Sequence, residues 1–290
     1  ARPRRGAMSK TAPSRKALSH AVPRRAARLV RRAHRSLAGA AAPFGEDLHT
    51  TRTALKRARA LLQLVADGKK PRNHLGALAR RIGPVRDAGI AVVTFDRIIK
   101  SEGLRMTGAL ETVRQRLVQR RDELEADPKT DCVLAKVERA LQREARALKR
   151  GGVKRPKWPT VKRGCKASYR EARRALACAY REGSDAAFHD LRKAVKRHLY
   201  QLKELRLPVE AEAAQRLDGL DQVGETLGEA QDLAMFEATL QNEAACFSNE
   251  ADCRRLCRLL QRRRTQLRGR VRALAHTLFA DRPAVYAASL

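Results

Sequence analysis

The chain has 290 residues, enough to bury a substantial core in one domain or two. Its 63 Lys and Arg against 31 Asp and Glu give a formal net charge of +32, an excess that packing does not need and that self-repulsion makes costly. This excess indicates a polyanionic partner, whereas the 4% aromatic content argues against base-stacking platforms for RNA or single strands.

The amino-terminal residues 1–20 mix Arg, Lys, Pro, Ser and Ala without periodicity and are predicted to be a flexible basic tail. A helix is predicted from Arg24 onward, because apolar residues recur on one side of it. Arginines that include Arg28 and Arg35 occupy the other side. Glycines and a proline between residues 39 and 45 should end this helix.

The second predicted helix, from about residue 47 to 66, contains the sequence LHTTRTALKR. At about 100° per residue, His49, Arg52 and Lys56 share one face, with Arg57 at its edge. Leucines and other small or apolar residues occupy the opposite face. We therefore predict a helix that is buried along one stripe and presents a row of cations along the other.

Two longer helical regions follow in the first half. One is predicted over about 72–100, with a kink near Gly83-Pro84, and it carries Arg86 and Asp87. The other is predicted over about 104–149, with a break near Asp127-Pro128. Glycines and prolines in residues 151–164 indicate a linker.

The second half repeats this plan. A helix over about 166–181 presents Arg170 and Arg174 outward, and a helix containing FHDLRKAVKR follows it. The second motif lies 140 positions after the first, so His189, Arg192, Lys196 and Arg197 correspond to the four cations of the first copy.

Further helices are predicted over about 211–245 and 252–278, and a Gly-x-x-x-Asp pattern recurs at Gly83/Asp87 and Gly228/Asp232. No segment shows the two-residue periodicity of a strand. The sequence predicts an all-α protein built by internal duplication of a helical bundle.

Rows of cations at this spacing suit a phosphate chain, and Arg28, Arg35, Arg170 and Arg174 on the preceding helices are further candidate contacts for it. Successive positions on a helix face lie about 5–6 Å apart, Arg can donate to two phosphate oxygens at once, and Lys acts as a point charge. Each motif histidine lies in the first two turns of its helix, where the helix dipole favours anions. A bound polyphosphate should raise the pKa of that histidine, so the affinity is expected to fall as pH rises.

The duplicated His-x-x-Arg-x-x-x-Lys-Arg helices resemble the CHAD family, the conserved-histidine α-helical domain, over nearly the whole chain. The resemblance implies two pseudo-symmetric four-helix bundles around a basic groove or channel that binds inorganic polyphosphate. It places a CHAD domain at 21–290, with repeats at about 24–150 and 165–285. It also implies phosphate contacts from both sets of motif cations and from Arg86, whereas the second copy has Gln231 at the position of Arg86.

Two other classes of function compete with polyphosphate binding. Nonspecific nucleic-acid binding is the stronger alternative, because the same cations would attract DNA at low salt. Catalysis is not expected, because no phosphate-binding loop, nucleophile triad or metal-binding carboxylate pattern is present. No cofactor or metal is expected either.

The remaining expectations concern location and single residues. Membrane insertion is not expected, because no apolar run is long enough to span a bilayer and the apolar stripes face the core. We expect a cytoplasmic protein, with polyphosphate granules as a candidate destination. His198 is predicted to be buried scaffold, Cys253 and Cys257 to be buried free thiols, and Asp87 and Asp232 to be partners of nearby arginines.

Overall fold

The structure, a computed structural model, describes residues 14–39, 46–206, 211–246 and 250–290. These residues form helices and connecting turns and contain no strand, so the all-α prediction is confirmed for them. The helices are α1 (Arg15–Ala38), α2 (Glu46–Leu62), α3 (Lys69–Arg81), α4 (Gly83–Ser101), α5 (Gly108–Ala126), α6 (Pro128–Lys149), α7 (Trp158–Glu182), α8 (Asp185–Leu205), α9 (Ala211–Asn242), α10 (Glu250–Leu278) and α11 (Pro283–Ala288). None of the helices in this part of the chain is long and apolar enough to cross a membrane.

Helix α1 begins nine residues earlier than the sequence predicts. Ser14 caps it, because its hydroxyl accepts a hydrogen bond from the Ala17 amide at 3.2 Å. Leu18 and Val22 are buried in the first two turns, so residues 15–20 belong to the helix and not to a tail. The rest of the predicted tail, residues 1–13, lies outside the described residues.

Proline divides two of the predicted long helices. The third predicted helix is two helices, because α3 ends at Arg81 and α4 begins at Gly83 with Pro84 in its first turn. The predicted break near Asp127 is confirmed, since the Asp127 carboxylate accepts from the Lys129 amide at 2.9 Å and caps α6. The linker predicted over 151–164 is too long. Helix α7 begins at Trp158, so only residues 151–157 of that range connect α6 to α7.

Buried apolar side chains form three clusters. The first joins α1, α2, α3 and α6 with single residues of α4 and α8 and the start of α7, and the second joins α7, α8, α9, α10 and α11. The third contains α4 and α5 with the carboxy-terminal part of α9 and the first two-thirds of α10, and in it the rings of Phe95 and Phe236 meet edge to face at 5.1 Å. Helices α4 and α5 therefore pack on helices of the second half, and the division into two pseudo-symmetric bundles stays a prediction.

His198 is part of the second core, as predicted. It is fully buried on α8, its Nδ1 shares a hydrogen bond with the Ser168 hydroxyl at 2.8 Å, and its ring meets Tyr169 and Tyr286 at their edges. Burial first, and the nearby Arg216 second, lower the pKa of His198 to about 3. The folded protein therefore keeps this imidazole neutral.

The buried neutral His198 predicts a loss of stability in mild acid. The pKa of the unfolded histidine is about 6.5, so below that pH the unfolded chain takes up a proton that the folded chain refuses. The free energy of unfolding should fall by up to about 1.4 kcal/mol per pH unit as pH drops from about 6.5 toward 3. The measurement is urea unfolding of the wild type and a His198→Phe variant at each pH.

The difference between the two proteins isolates the histidine from the carboxylates that also titrate. The free energy of unfolding of His198→Phe should rise relative to that of the wild type as pH falls. A His276→Gln variant, at an exposed position, is the matched control. A difference that stays constant from pH 7 to 4 would contradict the assignment.

Candidate polyanion-binding site

The two motif helices, α2 and α8, pack directly against each other. Gln201, buried on α8, donates a hydrogen bond through Nε2 to the Ala60 carbonyl of α2 at 3.1 Å. Beside it, the Arg57 guanidinium lies 5.6 Å from the centre of the Tyr200 ring and 3.7 Å from the Glu204 carboxylate. The packing brings the two copies of the motif together, although they are 140 residues apart in the chain.

Four cations from three helices meet at this junction. They are Arg52 and Lys56 of α2, Arg86 of α4 and Arg192 of α8, and we call them the central cationic cluster. The Lys56 side chain keeps contact with solvent, yet the protein atoms packed around it and then Arg52, Arg192 and Arg86 lower its pKa to about 8. Asp87 opposes this shift more weakly. Three guanidinium groups around one ammonium group, with one weaker carboxylate, give this site a surplus of positive potential.

The two motif arginines occupy corresponding positions beside glycines. The Arg52 Nη1 donates to the Ala79 carbonyl at 2.6 Å and lies 3.6 Å from where a Cβ on Gly83 would sit. Arg192 Nη2 lies 3.3 Å from the corresponding point on Gly228. Burial is the main cause that lowers the pKa of Arg52. The recurring glycine of the sequence pattern thus leaves space for the motif guanidinium in each copy.

Several guanidinium nitrogens of the cluster have no hydrogen-bond partner within the described part of the chain. The Nε atoms of Arg52, Arg86 and Arg192 are buried and unpaired there. Buried donors without acceptors are costly, and anionic oxygens satisfy them best.

Arg59 extends the cationic surface along α2 and was missed by the comparison of the two repeats. Burial lowers its pKa first, followed by Arg72, Arg197, Arg80 and Arg52. The second copy has Leu199 at the equivalent position, so the duplication gives no sign of this residue. Its spacing of seven residues after Arg52 could have identified it, because that spacing returns to the same helix face.

Carboxylates offset the cations unevenly between the copies. Asp87 pairs with Arg86 at 2.7 Å and Asp232 pairs with Arg97 at 2.7 Å, in line with the role predicted for both aspartates. Burial raises the pKa of Asp232 although Arg97, Arg192 and Arg86 oppose the shift. Arg86 and Arg192 therefore act on both Asp232 and Lys56.

The second copy holds more of its motif cations in ion pairs. Lys196 lies 3.1 Å from Asp221, which Lys203 also contacts. Arg197 pairs with Glu171. In the first copy, the charges that act most strongly on the equivalent Lys56 are all positive. The electrostatic potential at the motif lysine therefore differs between the two copies.

The two motif histidines have different surroundings. Burial lowers the pKa of His189, Lys193 and Arg192 add to the shift, and Asp190 and a hydrogen bond with Gln231 oppose it. His49 is exposed and lines a separate cleft between α1 and α2 together with Arg32 and Arg57. The two imidazoles are therefore not equivalent parts of one surface.

Four predicted site residues lie elsewhere. Arg28 and Arg35 are exposed on α1, and Arg170 and Arg174 are exposed on α7. None of them is among the charges that act on Lys56 or Arg59. Their part in binding stays a prediction.

Metal-binding side chains do not gather near the cluster. No group of three or more His, Cys, Asp or Glu that could hold a metal ion occurs in residues 14–39, 46–206, 211–246 and 250–290. Cys253 and Cys257 are free and buried, as predicted, and lie in the third core. The arrangement of the cluster favours electrostatic capture of an anion.

Comparisons with known proteins agree on one family. A family model described as the CHAD domain matches residues 40–241. A crystal structure of the CHAD domain from the plant Ricinus communis superposes with a TM-score of 0.51 at 18% sequence identity, covering 94% of each chain. At that identity the superposition supports the fold alone. No curated protein matches this sequence significantly.

Lys56 should behave as an unusually reactive lysine. With a pKa of about 8, roughly half of Lys56 is neutral at pH 8, against under about 1% for an ordinary lysine. Acylation by a small amine reagent, followed by peptide mass spectrometry, should therefore modify Lys56 well before the exposed Lys129. Arg52→Ala should slow this reaction, because removing a neighbouring cation raises the pKa of Lys56. Equal reactivity of Lys56 and Lys129 would contradict the clustering of charge.

Proposed function

Because the chain belongs to the CHAD family, we propose that it binds inorganic polyphosphate at the central cationic cluster and does so without catalysis. The observation that carries the proposal is the meeting of Arg52, Arg86 and Arg192 around Lys56, with the Nε atoms of all three arginines buried and without partners among the described residues. Burial first, and these arginines second, lower the pKa of Lys56 to about 8. A linear anion that repeats its charge every few ångströms would relieve this repulsion along its whole length.

The composition of the cluster also favours a ligand without bases. Its members are cations, and they act through charge and forked hydrogen bonds to oxygen. The ring of Tyr200, which follows the second motif on α8, has the Arg57 guanidinium over it, so a cation already occupies the ring face on that side. A phosphate polymer uses all of these donors, whereas a nucleic acid would leave its bases without a partner.

Nonspecific nucleic-acid binding is the second candidate, and the net charge of +32 supports it. Such binding depends on releasing counterions and weakens steeply between about 50 and 200 mM salt. Duplex DNA at equal phosphate concentration should therefore displace polyphosphate poorly at about 150 mM salt. We further propose that the protein works in the cytoplasm at polyphosphate granules, where loss of the cluster should abolish the accumulation of a fluorescent fusion.

The first test compares two double variants with the same change in charge. Arg52→Ala with Arg192→Ala removes two cluster arginines, and Arg258→Ala with Arg270→Ala removes two exposed arginines of α10. The cluster variant should weaken polyphosphate binding by about tenfold or more at about 150 mM salt, because charged hydrogen bonds in a shielded site are lost. The α10 variant should change the affinity by less than about threefold.

Binding is measured by titration calorimetry with long-chain polyphosphate, with and without the DNA competitor. Thermal melts of each variant exclude unfolding as the cause. Equal losses in both variants would identify the protein as a nonspecific cation surface, and efficient displacement by DNA would favour the nucleic-acid alternative.

The second test is the pH dependence of binding. A bound polyanion raises the pKa of Lys56 above its free value of about 8, so binding takes up a proton between the free and the bound pKa. Affinity should be greatest below pH 8 and fall as pH rises through that window. Calorimetry at pH 8.5 in buffers of different ionisation enthalpy measures the uptake directly.

Lys56→Met is the variant that assigns this proton, and most of the uptake at pH 8.5 should disappear in it. His189 should contribute a separate uptake at lower pH, between its lowered free pKa and the higher pKa that it has beside a bound polyanion. Unchanged proton uptake at pH 8.5 in Lys56→Met would refute the role of this lysine.

A further inference from the structure

A second cationic cleft lies between α3 and α6, on the outer side of the first core. Its walls carry four exposed cations, and Leu78 and Ala140 form a buried apolar floor. We call it the α3–α6 cleft. Its cations are Arg81, Lys136, Arg139 and Arg143.

The cleft is separate from the central cationic cluster because the two use different faces of α3. The pKa of Arg59 is lowered partly by Arg72 and Arg80, so both lie on the side of α3 that faces Arg59 of α2. At about 100° per residue, His74 and Arg81 lie about 200° and 180° around the helix from Arg72. Gly76 also faces inward, since a Cβ there would lie 3.3 Å from the Arg59 guanidinium.

The cations of α6 repeat the spacing of the motif helices. Lys136, Arg139 and Arg143 stand at i, i+3 and i+7, within about 60° of the helix circumference, as His49, Arg52 and Lys56 do on α2. Arg81 faces them from α3 across the cleft. The cleft thus offers a row of donors on one wall and a guanidinium on the other.

The positive charge of the cleft has almost no carboxylates to balance it. The Glu144 carboxylate lies 2.8 Å from His74 Nδ1 at one end of the cleft and is occupied by that contact. Among carboxylates of the described residues, none forms an ion pair with Arg81, Lys136, Arg139 or Arg143. Elsewhere on the surface arginines such as Arg57, Arg114 and Arg197 do form such pairs.

We propose that the α3–α6 cleft is a second, independent binding site for an oligophosphate segment. Four cations around an open cleft with an apolar floor match an anion of several linked phosphates better than a single carboxylate or one phosphate group. The site goes beyond the function proposed for the central cluster and does not depend on it. A long phosphate chain that reached both sites would gain avidity from the pair.

The test counts binding sites for inorganic tripolyphosphate by titration calorimetry at about 150 mM salt. The wild type should bind two equivalents. Arg139→Ala with Arg143→Ala should remove one of them, weakening that site by about tenfold or more, since two charged donors are lost. These side chains are exposed, so the fold should persist, and Arg258→Ala with Arg270→Ala is again the matched control.

The variant Arg52→Ala with Arg192→Ala separates this proposal from the preceding one. It should keep the cleft site at its wild-type affinity while it loses the central site. If the cleft variant binds as many equivalents as tightly as the wild type, the second site does not exist, whatever happens at the central cluster.

Cys132 offers an independent way to locate the bound anion. It is an exposed free thiol four residues before Lys136, and so on the same face of α6. A fluorophore on Cys132, in a Cys178→Ser, Cys246→Ser background with Arg52→Ala and Arg192→Ala, should report tripolyphosphate binding. The response should vanish when Arg139 and Arg143 are also replaced by Ala. A response of equal size after that replacement would overturn the assignment.

Discussion

The packing of α2 against α8 has to overcome repulsion between the positive charges that the two helices bring together. Arg52, Lys56 and Arg192 would separate if only their charges acted. Burial, and then this repulsion, lower the pKa of Lys56 in the folded protein. Burial of the opposite helix stripes holds them together, with Leu55 and Leu191 fully buried in the first and second cores. The cationic cluster therefore exists because apolar packing outweighs electrostatics, and an anion bound there would remove a cost that the fold already bears.

Nearby carboxylates neutralise only part of the positive charge that causes this repulsion. Asp87 and Asp232 pair with Arg86 and Arg97 at its edge, yet the cluster keeps buried guanidinium nitrogens without partners among the described residues. Full neutralisation would stabilise the fold and abolish the field that attracts a polyanion. Partial pairing is a compromise between stability and binding.

The two halves of the chain have diverged most where their third helices differ. In the first half Pro84 ends α3 and starts α4, so Arg86 comes from a new helix that leans on the second half. In the second half α9 runs unbroken past Gly224 and Gly228, and Gln231 takes the corresponding place and bonds to His189. Asp221 then pairs with Lys196, which leaves the first copy with the stronger unpaired field.

The sequence by itself determined the all-helical fold and the placing of the motif cations on one face of α2 and of α8, because both follow from periodicity within one helix. The break before Pro128 and the buried place of His198 follow from local chemistry in the same way, whereas at Pro84 the sequence indicated a kink and the structure has two helices. Only the tertiary structure decided which cations act together. Arg59 extends the cationic surface beyond the cluster without a repeat partner, and Arg28, Arg35, Arg170 and Arg174 are exposed on α1 and α7, because the place of each cation depends on how helices distant in the chain pack. The pKa of Lys56 has the same origin, since it requires burial and charges brought from α4 and α8, which no local pattern encodes.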